Sequence, residues 1–270
     1  VGVLGHLDIV PIGEGWTKDP FSCTEEDGYL FGRGVLDDKG PAMAGFYAMK
    51  MLKDNHIPLN KRIMLILGCD EESGMECMDY YKEHGEIPQC GFVPDADFPV
   101  TYGEKGGLHV LLKGKADTCI VSMHAGTRPN IVIGKAEMEM AEWNEELAAQ
   151  FAFYLRSHQL QGSATPKGSH VILHIDGVFS HAAEPYNGVN AALHLLNFAG
   201  CAYDDKFARD TYEMLCDWQG KPLGIDCYGA YMGFLTMNTG IISLQEDGTC
   251  EITIDIRYPN DADVGAIMDG

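Results

Sequence analysis

The chain has 270 residues, 46% of them hydrophobic, enough to bury a core in one large domain or two ordinary ones and too many for a disordered chain. Its 40 acidic residues against 19 basic ones give a formal net charge of -21, which repels nucleic acid and anionic membrane surfaces, and the lysines and arginines are scattered singly or in pairs such as Lys61-Arg62. Nine cysteines without a Cys-x-x-Cys pair fit neither a disulfide framework nor a zinc ribbon, so a reducing cytoplasm is the expected compartment.

The first hundred residues or so alternate apolar strands with helical patterns, which predicts an α/β layer on a mainly parallel sheet. The chain opens without Met, inside a strand, and stops at Asp269-Gly270, so the expectation is a piece of a longer protein. Strands are predicted at 1–7, 62–69 and 90–94, each read as a buried apolar run, with Phe92-Val93 closing the last. Between the first two, Phe21 to Arg33 carries the turn Glu26-Asp27-Gly28 and predicts a hairpin. Gly40-Pro41 opens a helix in which Met43, Phe46, Met49 and Leu52 recur at helical spacing as the packing stripe, and a second helix covers about 75–84.

Gly103-Glu104-Lys105-Gly106-Gly107 reads as a flexible junction, which sets a catalytic domain at 1–104 and a second domain at 105–270. The second is predicted to be α+β. Its elements are a strand at 108–113, a long helix at about 138–158, a strand from His170 to Asp176, helices from Gly188 to about Ala199 and at about 205–216, and a hairpin from Ile241-Ser243 to Glu251-Tyr258.

Polar residues follow each strand of the first domain and therefore converge on one sheet edge, where they read as a two-metal hydrolase site. His6 and Asp8 share a face of an extended strand, so a carboxylate can sit behind the imidazole and fix its tautomer, although an ordinary polar strand end has the same look. Gly32-Arg33-Gly34-Val35-Leu36-Asp37-Asp38-Lys39-Gly40 lacks the Gly-Lys-Ser/Thr ending of a phosphate loop, which leaves a carboxylate ligand loop or a helix start favoured by the dipole. Asp70-Glu71-Glu72 crowds three carboxylates at a strand end. Cations would relieve their repulsion and let one glutamate coordinate while the other acts as a base; a solvated acidic loop is the alternative. Asp95, between Pro94 and Ala96, adds a fourth site.

These segments, with Val93-Pro94-Asp95-Ala96-Asp97-Phe98-Pro99-Val100 and Tyr102-Gly103-Glu104-Lys105-Gly106, resemble the PepV-type dipeptidases of the metallopeptidase superfamily that includes aminoacylases, carnosinases and succinyl-diaminopimelate desuccinylases. The resemblance implies a zinc-exopeptidase-like catalytic domain with helices on both faces of its sheet, an α+β lid, and a cytoplasmic monomer that cleaves short unblocked dipeptides in a closed cleft. It makes His6 and Asp95 ligands of one divalent metal, Glu72 a ligand of a second, and Asp37 the bridge, with Asp8 orienting His6. Glu71 would take the proton of the attacking water and pass it to the leaving amine. In the lid, Ser180-His181-Ala182-Ala183-Glu184-Pro185 presents His181 to the oxyanion, and Asn130 and Arg257 hold the substrate, Arg257 through its C-terminal carboxylate. From the residues alone, His181 reads as a cap, Asn130 as a turn residue and Arg257 as a partner of Asp255.

Zinc, manganese or cobalt suits such a histidine and carboxylate set. The superfamily's last histidine ligand, on the metal of Glu72, has no counterpart after residue 257, so this chain is expected to hold one metal well and complete the second site poorly. An N-acyl amino acid deacylase and a non-catalytic metal-binding or peptide-binding protein are the alternatives; retention of Glu71 argues against the last.

Overall fold

The computed structural model describes residues 1–13 and 16–269; Glu14, Gly15 and Gly270 lie outside the described residues. Two compact units divide the chain, Val1–Tyr102 and Gly103 onward. The first holds β1 (Gly2–His6), β2 (Thr24–Glu26), β3 (Tyr29–Phe31), α1 (Gly40–Asp54), β4 (Met64–Gly68), α2 (Glu76–His84) and β5 (Gly91–Phe92). Strands β4, β1 and β5 pair in that order, all parallel. The hairpin β2–β3 turns through Asp27 and Gly28, whose φ values of 51° and 81° are those a two-residue turn of the right twist demands.

Alternation along β1 sends Val3 and Gly5 to one face and Gly2 and Leu4 to the other. Helix α1 lies on the first face at close range: Ala42 and Gly45 are buried, and a Cβ on Gly45 would come within 2.8 Å of Val3 Cγ1. Leu4 and Ile66 share a recess with Met75 and Met78 at the start of α2 on the second face. The expected stripe on α1 is therefore rotated. Met43 and Phe46 are 48% and 42% exposed, because the small side chains, not the large ones, allow the helix onto the sheet. Phe92 and Val93 are also exposed rather than buried, since β5 is a two-residue edge strand covered on one side only.

The second unit contains β6 (Gly106–Lys115), β7 (Ile120–Ala125), β8 (Lys135–Met140), α3 (Glu145–Ser157), β9 (Gln161–Lys167), β10 (His170–Asp176), α4 (Ala191–Ala202), α5 (Lys206–Leu215), the short pair β11 (Tyr228–Gly229) and β12 (Gly233–Phe234), β13 (Thr236–Leu244), β14 (Thr249–Tyr258) and α6 (Val264–Asp269). Seven strands form one antiparallel sheet in the order β6-β14-β13-β7-β8-β10-β9. One face packs on the helices: Val171, Leu173, Ile175, Met138, Met140, Leu195, Leu196, Phe198 and Ile254 are at most 2% exposed, and each side chain of that size contributes roughly 1.5–3 kcal/mol by burial.

The single helix expected at 138–158 is a strand followed by a helix. Lys135-Ala136-Glu137-Met138-Glu139-Met140 alternates with period two, burying Ala136, Met138 and Met140, and α3 begins only where Asn144 Oδ1 accepts the Leu147 N–H at 2.9 Å. Gly106 and Gly107, expected in the junction, pair with Tyr258 and Arg257 as the start of β6. Strands β7 and β9 have no counterpart among the expected elements. Among the described residues, no helix is long and apolar enough to cross a membrane.

Asp205 ties α5 to the sheet: one oxygen accepts the Ala208 N–H at 2.8 Å, and the other takes the Thr118 hydroxyl at 2.7 Å and the Cys119 N–H at 2.8 Å. Burial pushes its pKa up, but these donors outweigh burial and hold it below the ordinary carboxylate value. A carboxylate with a depressed folded-state pKa stabilises the fold above its unfolded pKa, about 3.9, and that stability is lost as pH falls through the folded value. Asp205→Asn is expected to unfold about 1–3 kcal/mol more easily than wild type at pH 7, with the gap narrowing below pH 4, as read by urea denaturation at both pH values.

Candidate metal centre

Parallel register places His6 opposite Gly68, and the Leu7 N–H donates to the Gly68 carbonyl at 2.9 Å, so β1 and β4 leave the sheet together. The segments that follow carry Asp8 and Asp70-Glu71-Glu72. Ahead of α1, Gly34 adopts φ 85° and the turn Val35–Lys39 follows, with Asp37 extended inside it and a cis peptide between Asp37 and Asp38. This turn sends Asp37 outward and Asp38 inward: Asp38 is fully buried and its Oδ2 accepts the His6 N–H at 3.0 Å. Gly5 makes room for it. A Cβ there would lie 2.6 Å from Asp38 Oδ2 and 3.0 Å from the Ala42 Cβ.

The imidazole of His6 is 3% exposed and both nitrogens are engaged. Nδ1 faces the Asp8 carbonyl at 3.1 Å and Asp8 Oδ1 at 3.4 Å, so its proton points there. Nε2 then turns toward Asp37 Oδ1 at 2.9 Å and Asp95 Oδ2 at 3.5 Å. A lone pair aimed at two carboxylates is repulsive unless a proton or a cation lies between them. His6, Asp37 and Asp95 bring ligand atoms within 4.8 Å of one another, and so do His6, Glu71 and Glu72. Asp8 also accepts the Glu72 N–H at 3.0 Å, which couples the acidic turn Glu71–Ser73 to β1.

Electrostatics follow from this crowding. Burial, then the Asp95, Asp37 and Asp8 charges, raise the Glu71 carboxyl against an opposing pull from His6. Burial raises Glu72, with Asp37 and Glu71 adding to it, and burial with Asp37 and Asp38 raises Asp95. For His6, burial acts downward but is outweighed by the bond to Asp37, the Asp8 carbonyl and the charges of Asp37 and Asp95, so its pKa rises. Asp8 alone goes down, because the Glu72 and Glu71 N–H groups outweigh its burial. Glu72 Oε1 is buried with no hydrogen-bond partner among the described residues. One imidazole nitrogen, several carboxylate oxygens and an orphaned inward Oε1 make a donor set that fits divalent zinc, manganese or cobalt.

The second unit assembles its own polar group. Ile131 and His181 form an antiparallel bridge, in which the Ala182 N–H donates to the Asn130 carbonyl and the Val132 N–H to the Ser180 carbonyl, both at 2.9 Å. Asn130 and His181 are thereby neighbours. His181 is exposed, and its Nδ1 accepts the Ala183 N–H at 3.1 Å, which places the proton of a neutral ring on Nε2. Arg257 grips the fully buried Asp255 with two bonds, Nε to Oδ1 at 2.7 Å and Nη2 to Oδ2 at 2.9 Å, and His109 Nε2 meets Oδ2 at 2.9 Å. The two bonds to Asp255 use Nε and Nη2, and among the described residues Nη1 makes no hydrogen bond.

Residues 2–259 match the model of peptidase family M20/M25/M40. The chain belongs to that family. This chain is 40% identical over its whole length to the Bacillus subtilis protein "Putative dipeptidase YtjP", and 36% identical over 96% of its length to the Staphylococcus epidermidis protein "Putative dipeptidase". It spans 61% and 58% of the lengths of those two curated relatives. In structure it is similar to human carnosine dipeptidase 1, with a TM-score of 0.40 and 16% identity over 99% of this chain and 55% of that one.

Two residues of this M20 chain were not singled out by sequence reasoning. Asp38 stands beside Asp37 with the same chemistry, and only the backbone turn decides which faces inward. Asn238, in Met237-Asn238-Thr239-Gly240, has the look of an ordinary polar residue in a strand. Addition of zinc or manganese at about 100 times Kd is expected to stabilise the protein by about 3 kcal/mol, seen as a rise in melting temperature of several degrees. His6→Ala is expected to abolish that rise, and an undiminished rise would remove His6 from the ligand set.

Proposed function

We propose that the protein of which this chain forms part is a metal-dependent dipeptidase acting on short unblocked peptides in the cytoplasm as a monomer. The observation that carries the reading is the pair of adjacent glutamates beside His6: Glu72 has a buried oxygen with no hydrogen-bond partner among the described residues, while Glu71, the more exposed of the two, has its carboxyl raised by the part of it that is buried and by the Asp95, Asp37 and Asp8 charges, the direction that favours a base. A protein that only binds metal or peptide has no use for a base there. The names of the Bacillus and Staphylococcus relatives support the dipeptide as substrate.

Residues His6, Asp37, Asp95 and Glu72 would hold the divalent ions, and Asp8 would keep the His6 ring in its tautomer. Bound there, the ions supply the positive charge that acidifies water and polarises a peptide carbonyl. Glu71 takes a proton from the water as its oxygen attacks the carbonyl carbon, and returns it to the nitrogen as the C–N bond breaks, releasing an acid and an amine. Residues 1–104 supply that chemistry, and 105–270 act as the lid. His181 Nε2–H donates to the carbonyl oxygen as it gains charge, Asn130 donates to the substrate backbone, and Arg257 takes the substrate carboxylate on the edge that Asp255 leaves open.

Full-length protein loaded with zinc or manganese is expected to release amine from β-alanyl-histidine and not from N-acetyl-histidine. Preference for the acetylated compound would replace the dipeptidase by an N-acyl amino acid deacylase. Glu71→Gln is expected to keep the wild-type metal content and lose about 10²–10⁴-fold in kcat. Loss of metal together with activity would make Glu71 a ligand instead.

A further inference from the structure

Asn238 is 3% exposed and has no part in the roles above. Its Nδ2 donates to the Pro129 carbonyl at 2.8 Å and to the Ile131 carbonyl at 3.1 Å, so one side-chain amide grips the backbone on both sides of Asn130. The carbonyl between those two is Asn130's own, and it is taken by the N–H of Ala182, next to His181. Across the sheet, Asn238 stands opposite Asp255, the carboxylate that holds Arg257. One residue thus touches the support of each member of the polar group.

The strand is shaped for this contact. The register of β13 against β14 slips between Thr239 and Ile241, leaving Gly240 as an extra residue. A Cβ on Gly240 would lie 2.2 Å from the Pro129 oxygen and 2.5 Å from the Pro129 Cα, so only glycine lets the loop approach so closely. Gly126, at φ 79°, completes the fit: a Cβ there would fall 1.9 Å from the Gly240 oxygen. Beyond the bulge, Ile242, Ser243 and Leu244 pair with β7 in the ordinary way. Before it, Asn238 supplies by side chain the donors that a neighbouring strand would have supplied by backbone.

We propose that Asn238 is a positioning residue, fixing the Pro129–Ile131 backbone, and through the Ile131–His181 pairing the His181 loop, in register with the strand that carries Asp255 and Arg257. Its kinetic consequence rests on the dipeptidase reading; its structural consequence does not. Without the Nδ2 donor, two carbonyls lose that partner, and the segment bearing Asn130 keeps its bonds to Ser180 and Ala182 and the long bond from the Ile131 N–H to the Arg128 carbonyl. With Asp in its place, a carboxylate oxygen faces two carbonyl oxygens and repels them.

Full-length wild type and Asn238→Ala are compared first by amide hydrogen exchange. Exchange at Val132 and Ala182 is expected to rise about tenfold or more in the variant while β10 keeps its wild-type rates. Unchanged exchange at Val132 and Ala182 overturns the proposal, and so does a rise that extends through β10, which would make Asn238 a general support of the sheet. With dipeptide as substrate, kcat is expected to fall about 10²-fold in Asn238→Ala at unchanged metal content. The loss in Asn238→Ala combined with Asn130→Ala is expected to be smaller than the product of the single losses, and a full product overturns action through Asn130. A wild-type protein that cleaves no dipeptide would refute the dipeptidase reading, and the exchange data would still decide the role of Asn238.

Discussion

Negative charge crowded onto one edge of a three-stranded sheet governs the design of the first unit. His6 sits at the end of the middle strand, with Asp8 behind Nδ1 and with Asp37 and Asp95 before Nε2. Among the described residues, no lysine or arginine pairs with any of these carboxylates or with Glu71 and Glu72. Bringing like charges together and partly burying them is unfavourable, and the raised carboxyls of Glu71, Glu72 and Asp95 are the measure of it. A protein can answer with protons or with a cation. Protons would answer at low pH; near neutrality a divalent cation fits the same donors far better.

Holding that arrangement dictates the packing behind it. Asp38 enters the protein to hold the His6 backbone, where Gly5 leaves room for it beside the small Ala42, and Gly45 lets the same helix approach Val3. Helix α1 therefore comes close to β1, and its bulky Met43 and Phe46 are left outside the contact. The local rule that large apolar residues make the packing stripe yields here to the need for a short distance between helix and sheet.

Much of this was legible as residue order. His6, Asp37, Glu71, Glu72 and Asp95 follow apolar runs or open a helix, and a parallel sheet must then gather them at one edge. The strand His170–Asp176 declared itself by period two, and α4 by a largely apolar stretch after Asn190, interrupted by His194 and Asn197. The failures have physical causes. Between Met140 and Asn144 no glycine or proline marks the strand's end, so Met138, Met140 and Leu147 could be joined into one helix pattern. Asp38 and Asn238 carry no pattern at all: each matters because of which backbone group it meets, and that is set by a turn in one case and a strand bulge in the other.

Arg257 is paired with Asp255 through one edge of its guanidinium. A guanidinium has two edges that can take a carboxylate. Asp255 occupies the edge formed by Nε and Nη2, so the end formed by Nη1 and Nη2 is what a second carboxylate would meet. Asp255 already neutralises the charge, and His109 shares the same oxygen. Long-range attraction from this cation is correspondingly weak, so any carboxylate met there under the proposed function would be distinguished by bond geometry, a planar carboxylate accepting two N–H groups in parallel. The buried Asp255 thus holds the fork still. Under the proposed function, less side-chain freedom would then remain to be lost when a carboxylate binds there.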